Sequence, residues 1–150
     1  MPQSLSKILV HIIFSTKNRQ SLLPEKIRPE LYSYLASVLQ RCESPALKIG
    51  GIADHVHILC SLSKNYALAK IVEEFKKSSS KWLKTKGAEF QSFFWQNGYG
   101  VFSVSQSDID VVIRYIEKQE EHHRVMTFQE EYRKFLEKYR VPYDERYVWD

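Results

Sequence analysis

The sequence predicts an α+β fold of the ferredoxin-like, split βαβ type, with a central antiparallel sheet and appended C-terminal helices. Three observations carry this. Hydrophobic periodicity switches between 2 and 3.6 in the order β-α-β-β-α-β-α-α. The first strand is apolar on both faces, as a central strand is. The chain has 150 residues, 43% hydrophobic and 27% charged, which suits a single domain over 1–150 with its own core.

Each element has its own signature. In Lys7 to Thr16, Ile8, Val10, Ile12 and Phe14 alternate with Leu9, His11 and Ile13. A polar link, STKNRQS, leads to a helix from Pro24 to about Cys42, with Ile27, Leu31, Tyr34, Leu35 and Val38 at helical spacing. Two strands follow, Ala46 to Ile52 and His55 to Leu62, turning at Ala53-Asp54, and Gly50-Gly51 marks a bulge or a close backbone approach. Residues Ala67 to Lys84 form a second helix that buries Leu68, Ile71, Val72, Phe75, Ser79 and Trp82 and shows Lys70, Lys77, Lys81 and Lys84 on a separate face. Phe93 to Trp95 and Tyr99 to Val104 flank Asn97-Gly98, a strong turn dipeptide, and predict a hairpin. Ser105 to Asp108 has capping-box spacing and opens a tyrosine-bearing helix to about Arg124. A helix from Thr127 to about Tyr139 and an aromatic tail complete a C-terminal portion over 125–150.

Composition excludes several classes. No apolar stretch approaches the ~20 residues of a membrane span. Cys42 and Cys60 are far apart and form no CxxC, which disfavours a disulfide scaffold and points to a reducing cytoplasm. The net charge of +4 is mild, but Lys64 to Lys86 holds seven lysines against Glu73 and Glu74, so the positive potential is local. With Lys17, Arg19 and Ser78 to Ser80, this segment suits phosphates, although a solvated helix face has the same pattern. Tyr99 and Phe102 are candidates for stacking on bases, with core packing as the competing use.

Two constellations carry chemistry. His55 and His57, two apart on a strand, present both imidazoles on one face, where they can share a divalent cation; ordinary strand histidines look the same. Cys60 has the opposite parity and faces away. Tyr115 and Gln119 leave one helix face together, followed by His122 and His123, whose position also suits a helix C-terminus. His11, on the first strand, reads as a core residue or as a support to the histidine pair.

Together these segments resemble the single-tyrosine HUH transposases of bacterial insertion sequences, including REP-associated relatives. The resemblance runs through FSTKNR, ADHVHIL, FKKSSSKWL, WQNGYGVFSVS, YIEKQEEHH and YDERYVW. It implies Tyr115 as the nucleophile toward single-stranded DNA, and Mg²⁺ or Mn²⁺ held by His55, His57 and Gln119. It also implies a 5′-phosphotyrosine intermediate, recognition of DNA hairpins near element ends, and a homodimer whose tyrosine helices complete each other's sites. A non-catalytic nucleic-acid-binding module is the alternative, but no RNP-type aromatic pattern is present. A replication-initiator or relaxase-type nuclease shares the chemistry in a usually longer chain.

Overall fold

The computed structural model describes residues 2–150. Strand β1 (Leu9–Ser15) is buried along its length. Helix α1 (Arg28–Arg41) leads to the β2 (Ala46–Ile52) and β3 (His55–Ser61) hairpin, and helix α2 (Leu68–Lys84) leads to β4 (Gly100–Val104). The sheet order is β2-β3-β1-β4, antiparallel throughout, so the central position expected of β1 holds. Helices α3 (Ile109–Glu117), α4 (Gln119–His122) and α5 (Phe128–Lys138) complete the split βαβ plan.

Strand parity divides the molecule into two layers. Val10, Ile12 and Phe14 of β1 and Val56, Ile58 and Cys60 of β3 pack with Leu31 and Leu35 of α1 and with Ile71, Val72 and Phe75 of α2. Cys60 thus faces away from the histidines, and burial pushes its thiol up to about 12. On the other face Ile13 and Phe102 pack against Phe128, Tyr132 and Leu136 of α5. His55 lies opposite Ser15 and His57 opposite Ile13, so both histidines belong to this second layer. Gly50 is where α3 touches the sheet: a Cβ there would lie 2.9 Å from the Ile116 carbonyl oxygen. The glycine pair is therefore the close approach, whereas the register irregularity falls between Ala46 and Lys48.

Three predicted features differ. The first helix starts at Arg28 because Pro24 to Ile27 closes a turn, with the Ile27 amide donating to the Pro24 carbonyl at 3.0 Å, and Pro29 serves as the N-terminal proline. The tyrosine helix starts at Ile109 after a 3-10 turn, in which Ser105 Oγ donates to the Asp108 carboxylate and makes no capping-box bond. It also breaks at Lys118.

The third difference is the hairpin. Trp95 bridges Thr16, beyond the end of β1, and Gly100 to Val104 pair with β1 in the same antiparallel sense. The two segments are one edge strand interrupted by a bulge at Asn97 to Tyr99. Tertiary bonds override the turn dipeptide. Lys76 Nζ donates to the Gln96 and Gly98 carbonyls at 2.8 and 2.6 Å, and Trp95 Nε1 donates to Ser79 Oγ at 2.9 Å.

Candidate active site

The second layer gathers polar side chains that burial would penalise singly. The period of β3 brings His55 and His57 under the C-terminal helices, and both are fully buried. Each is oriented from behind. Asp54 Oδ1 accepts from His55 Nδ1 at 2.7 Å, and His11 Nε2 pairs with His57 Nδ1 at 2.8 Å. Both Nε2 atoms are thereby turned to one point, the arrangement by which outer partners aim metal-binding imidazoles.

A carboxylate sits at that point. Glu131 of α5 is 2% exposed, with Oε1 at 3.1 Å from His57 Nε2, 3.5 Å from His55 Nε2 and 3.1 Å from His123 Nε2. Its Oε2 accepts from the Tyr115 hydroxyl and, at 3.2 Å, from Gln119 Nε2. Gln119 Oε1 lies 2.9 Å from His55 Nε2. The same-face pairing of Tyr115 and Gln119 thus survives the break at Lys118, and both converge on the histidines.

The expected ligand set of His55, His57 and Gln119 needs enlarging. Donor atoms of His55, His57 and Glu131 lie within 4.8 Å of one another and could hold a divalent metal, with the Gln119 oxygen beside them. This mixed nitrogen and oxygen set suits Mn²⁺ or Mg²⁺ better than a thiolate-rich one would. Sequence reasoning missed Glu131 and Asp54. It left His123 unassigned, and His123 also bonds Gln119 Oε1 at 3.1 Å. His122 lies against the Tyr115 ring, with centroids 4.6 Å apart. His11 supports His57 as well as filling core.

The cluster has a definite charge pattern. Burial alone would raise the Glu131 carboxyl, but His57, His123 and His55 hold it well below the ordinary carboxylate range. Burial opposes charge on His55 too, yet Asp54 and Glu131 raise it to about 9. His57 and His11 are lowered, chiefly by burial. Burial and the Glu131 charge push the Tyr115 phenol above its usual range.

The predicted basic residues do not join this cluster. Helix α2 packs on the opposite face of the sheet. Lys70 pairs with Glu73 and Glu74 at 3.8 and 3.1 Å, while Lys77 and Lys81 are exposed and have no acidic partner among the described residues. Arg19 donates to the Trp149 carbonyl at 2.8 Å and lies over that indole. Lys17 and Lys84 flank one ring, Phe94, at 5.5 and 4.9 Å. That ring is 55% exposed, whereas Phe102 is buried and Tyr99 is covered by Lys76. Phe94, read from the sequence only as part of the hairpin, is the ring of this segment most open to a base.

Within one chain the tyrosine helix already lies at the histidines. After the 3-10 turn at Gln106–Asp108, α3 lies on the sheet with Ile116 against Gly50, and Tyr115 and Gln119 face Glu131 and His55.

Comparisons with known proteins bear on the fold and the family. No curated protein matches the chain. Among solved structures, a candidate transposase from Deinococcus radiodurans R1 is similar at a TM-score of 0.61 and 21% identity, covering 79% of this chain and 98% of its own. The REP-associated tyrosine transposase bound to a REP hairpin is similar at 0.61 and 15%, covering 82% of this chain and 73% of its own. These identities speak to the fold alone. The family described as "Transposase IS200 like" matches residues 4–119, from before the first strand through Tyr115 to Gln119, and the chain therefore belongs to the IS200-like transposases.

Proposed function

We propose that the chain, as a single domain over 1–150, cleaves and rejoins single-stranded DNA at hairpin-marked sites through a 5′-phosphotyrosine link to Tyr115, with a divalent metal held by His55, His57 and Glu131 beside Gln119. The observation that carries this is the convergence of the tyrosine, the amide and both histidines on one buried carboxylate.

The donor set fits the ion because two oriented imidazole nitrogens and a carboxylate oxygen already face one another. A divalent ion bound there would add positive charge beside the phenol and the scissile phosphate, favouring the phenolate and offsetting the charge that builds on the phosphate. The protein's own residues do the rest. Asp54 and His11 fix the imidazoles. Glu131 Oε2 holds the phenol in place by accepting its hydrogen bond, and the phenolic proton passes to solvent as Tyr115 Oη bonds to phosphorus. The P–O3′ bond breaks, and the departing oxygen takes a proton from solvent to become a 3′-hydroxyl. The link conserves the phosphoester, so the reverse attack by a new 3′-hydroxyl needs no further energy source.

The similar REP-associated transposase binds a hairpin. Here the exposed Lys77 and Lys81, with Lys17 and Lys84 around Phe94, make the surface best suited to such DNA.

The test is covalent capture. Labelled single-stranded hairpin DNA incubated with protein and Mn²⁺ gives an adduct stable on a denaturing gel, and Tyr115→Phe gives none while still binding the hairpin. An adduct undiminished in that variant rejects Tyr115 as the nucleophile.

A further inference from the structure

The catalytic cluster is almost sealed: Gln119 is 1% exposed and Glu131 2%, and the two histidines are fully buried. A cavity of about 350 Å³ reaches both the Tyr115 phenol and Glu131. Its walls include Val111 of α3 and Phe135 of α5, and Lys134 and Lys138 line it one helical turn apart. Neither lysine has an acidic partner among the described residues, and both are exposed. An apolar wall beside an aromatic ring, with two exposed lysines of which Lys138 lies over the Tyr139 ring at 5.6 Å, is the chemistry of a stacked base with its phosphates. The volume lies in the range of small-ligand sites. Helix α5 also lies beyond residue 119, where the family match ends, so this wall belongs to the unmatched part of the chain.

We propose that this cavity receives the base of the nucleotide that stays on Tyr115 after cleavage, and that it gives the chain a base preference at that position. The proposal rests on Tyr115 being the nucleophile. Attack forms the Tyr115 Oη–P bond and breaks P–O3′, so the strand that departs ends in a free 3′-hydroxyl and is not tethered. The other strand is held to Tyr115 by its 5′-phosphate. Its first base must lie within one nucleotide of the phenol, and this cavity is the space there. Phe135, which meets the Tyr115 ring edge-on at 5.7 Å, offers the neighbouring aromatic surface, and Lys134 and Lys138 face the phosphates that follow.

The experiment uses the full chain with Mn²⁺ and a pool of DNA hairpins whose unpaired flank is randomised. Covalent adducts are recovered and sequenced from the tyrosine-linked end. The expected result is one base enriched a few-fold at the first position, the modest preference that differences in stacking strength give. Val111→Trp, a change at a 57% exposed residue, should flatten that enrichment by filling the cavity. Lys134→Ala with Lys138→Ala should slow adduct formation without changing the preferred base. A first position as random as the input, or a preference untouched by Val111→Trp, overturns the cavity assignment and leaves the nucleophile in place. Absence of any adduct from the whole pool overturns the nucleophile reading, and the cavity with it.

Discussion

Glu131 is the residue on which the cluster turns, since one of its oxygens faces His55, His57 and His123 and the other accepts from the Tyr115 phenol. Glu131→Gln keeps the shape and removes the charge. We expect Mn²⁺ affinity to fall by at least about 10-fold, as for lost groups around metal sites, and adduct formation to fall with it. Calorimetric titration of Mn²⁺ reads the first effect independently of cleavage; equal affinities would remove Glu131 from the ligand set. Its place was partly legible in the sequence. In the stripe Phe128, Glu131, Tyr132, Phe135, Leu136, one acid occupies an apolar helical face. The capping bond from the Glu130 amide to Thr127 Oγ1 at 3.1 Å starts the helix at the phase that buries this stripe. That it would meet His55 and His57 was not legible, because they lie on a strand far away in sequence.

At the scale of elements, α3 is seated on β2 through Gly50. Gly50→Ala places a methyl against the Ile116 carbonyl, a backbone atom that moves only with the helix. Overpacking of this kind costs about 1–3 kcal/mol, so thermal unfolding should show a Tm lower by several degrees. An unchanged Tm would mean that α3 is not held against the sheet there. The bulge before β4 is held by Lys76, whose burial lowers its ammonium to about 8 against an unfolded value of 10.5. Between those values the unfolded chain binds more protons, so this group makes stability rise from about pH 8 toward 10.5. The contribution is bounded at the order of 3 kcal/mol. Denaturant titrations across that window should show the rise in the wild type and lose it in Lys76→Met; parallel curves would contradict a buried, depressed ammonium.

For the whole molecule, the two faces of the sheet separate the chemistry from the basic α2 surface. Lys77→Ala with Lys81→Ala should weaken hairpin binding irrespective of sequence and lower the log–log salt slope by roughly 0.7 to 0.9 per lost contact. A filter-binding salt series with an unaltered slope would make that surface a solvated helix face. The arrangement of Tyr115 also decides a mixing experiment. Tyr115→Phe and His57→Ala chains each carry one defect in their own site. If each site draws its residues from one chain, as Tyr115 and Gln119 lie here, co-incubating the two variants restores no adduct. Recovery toward half of wild-type activity would show sites shared across a two-fold axis.

The sequence by itself determined the strand and helix order, the central place of β1, the HxH face and the meeting of Tyr115 with Gln119, because these follow from periods of 2 and 3.6 within one element. It did not determine the fate of Asn97-Gly98, where a local turn preference lost to bonds from Lys76 and Trp95. Nor did it show which side of the sheet the lysines of α2 would take relative to the histidines. Only tertiary structure placed Glu131, His123, Asp54 and His11 around one point. The reason is physical: buried polar atoms are stable only when each finds a partner, and those partners come from four separate segments brought together by packing.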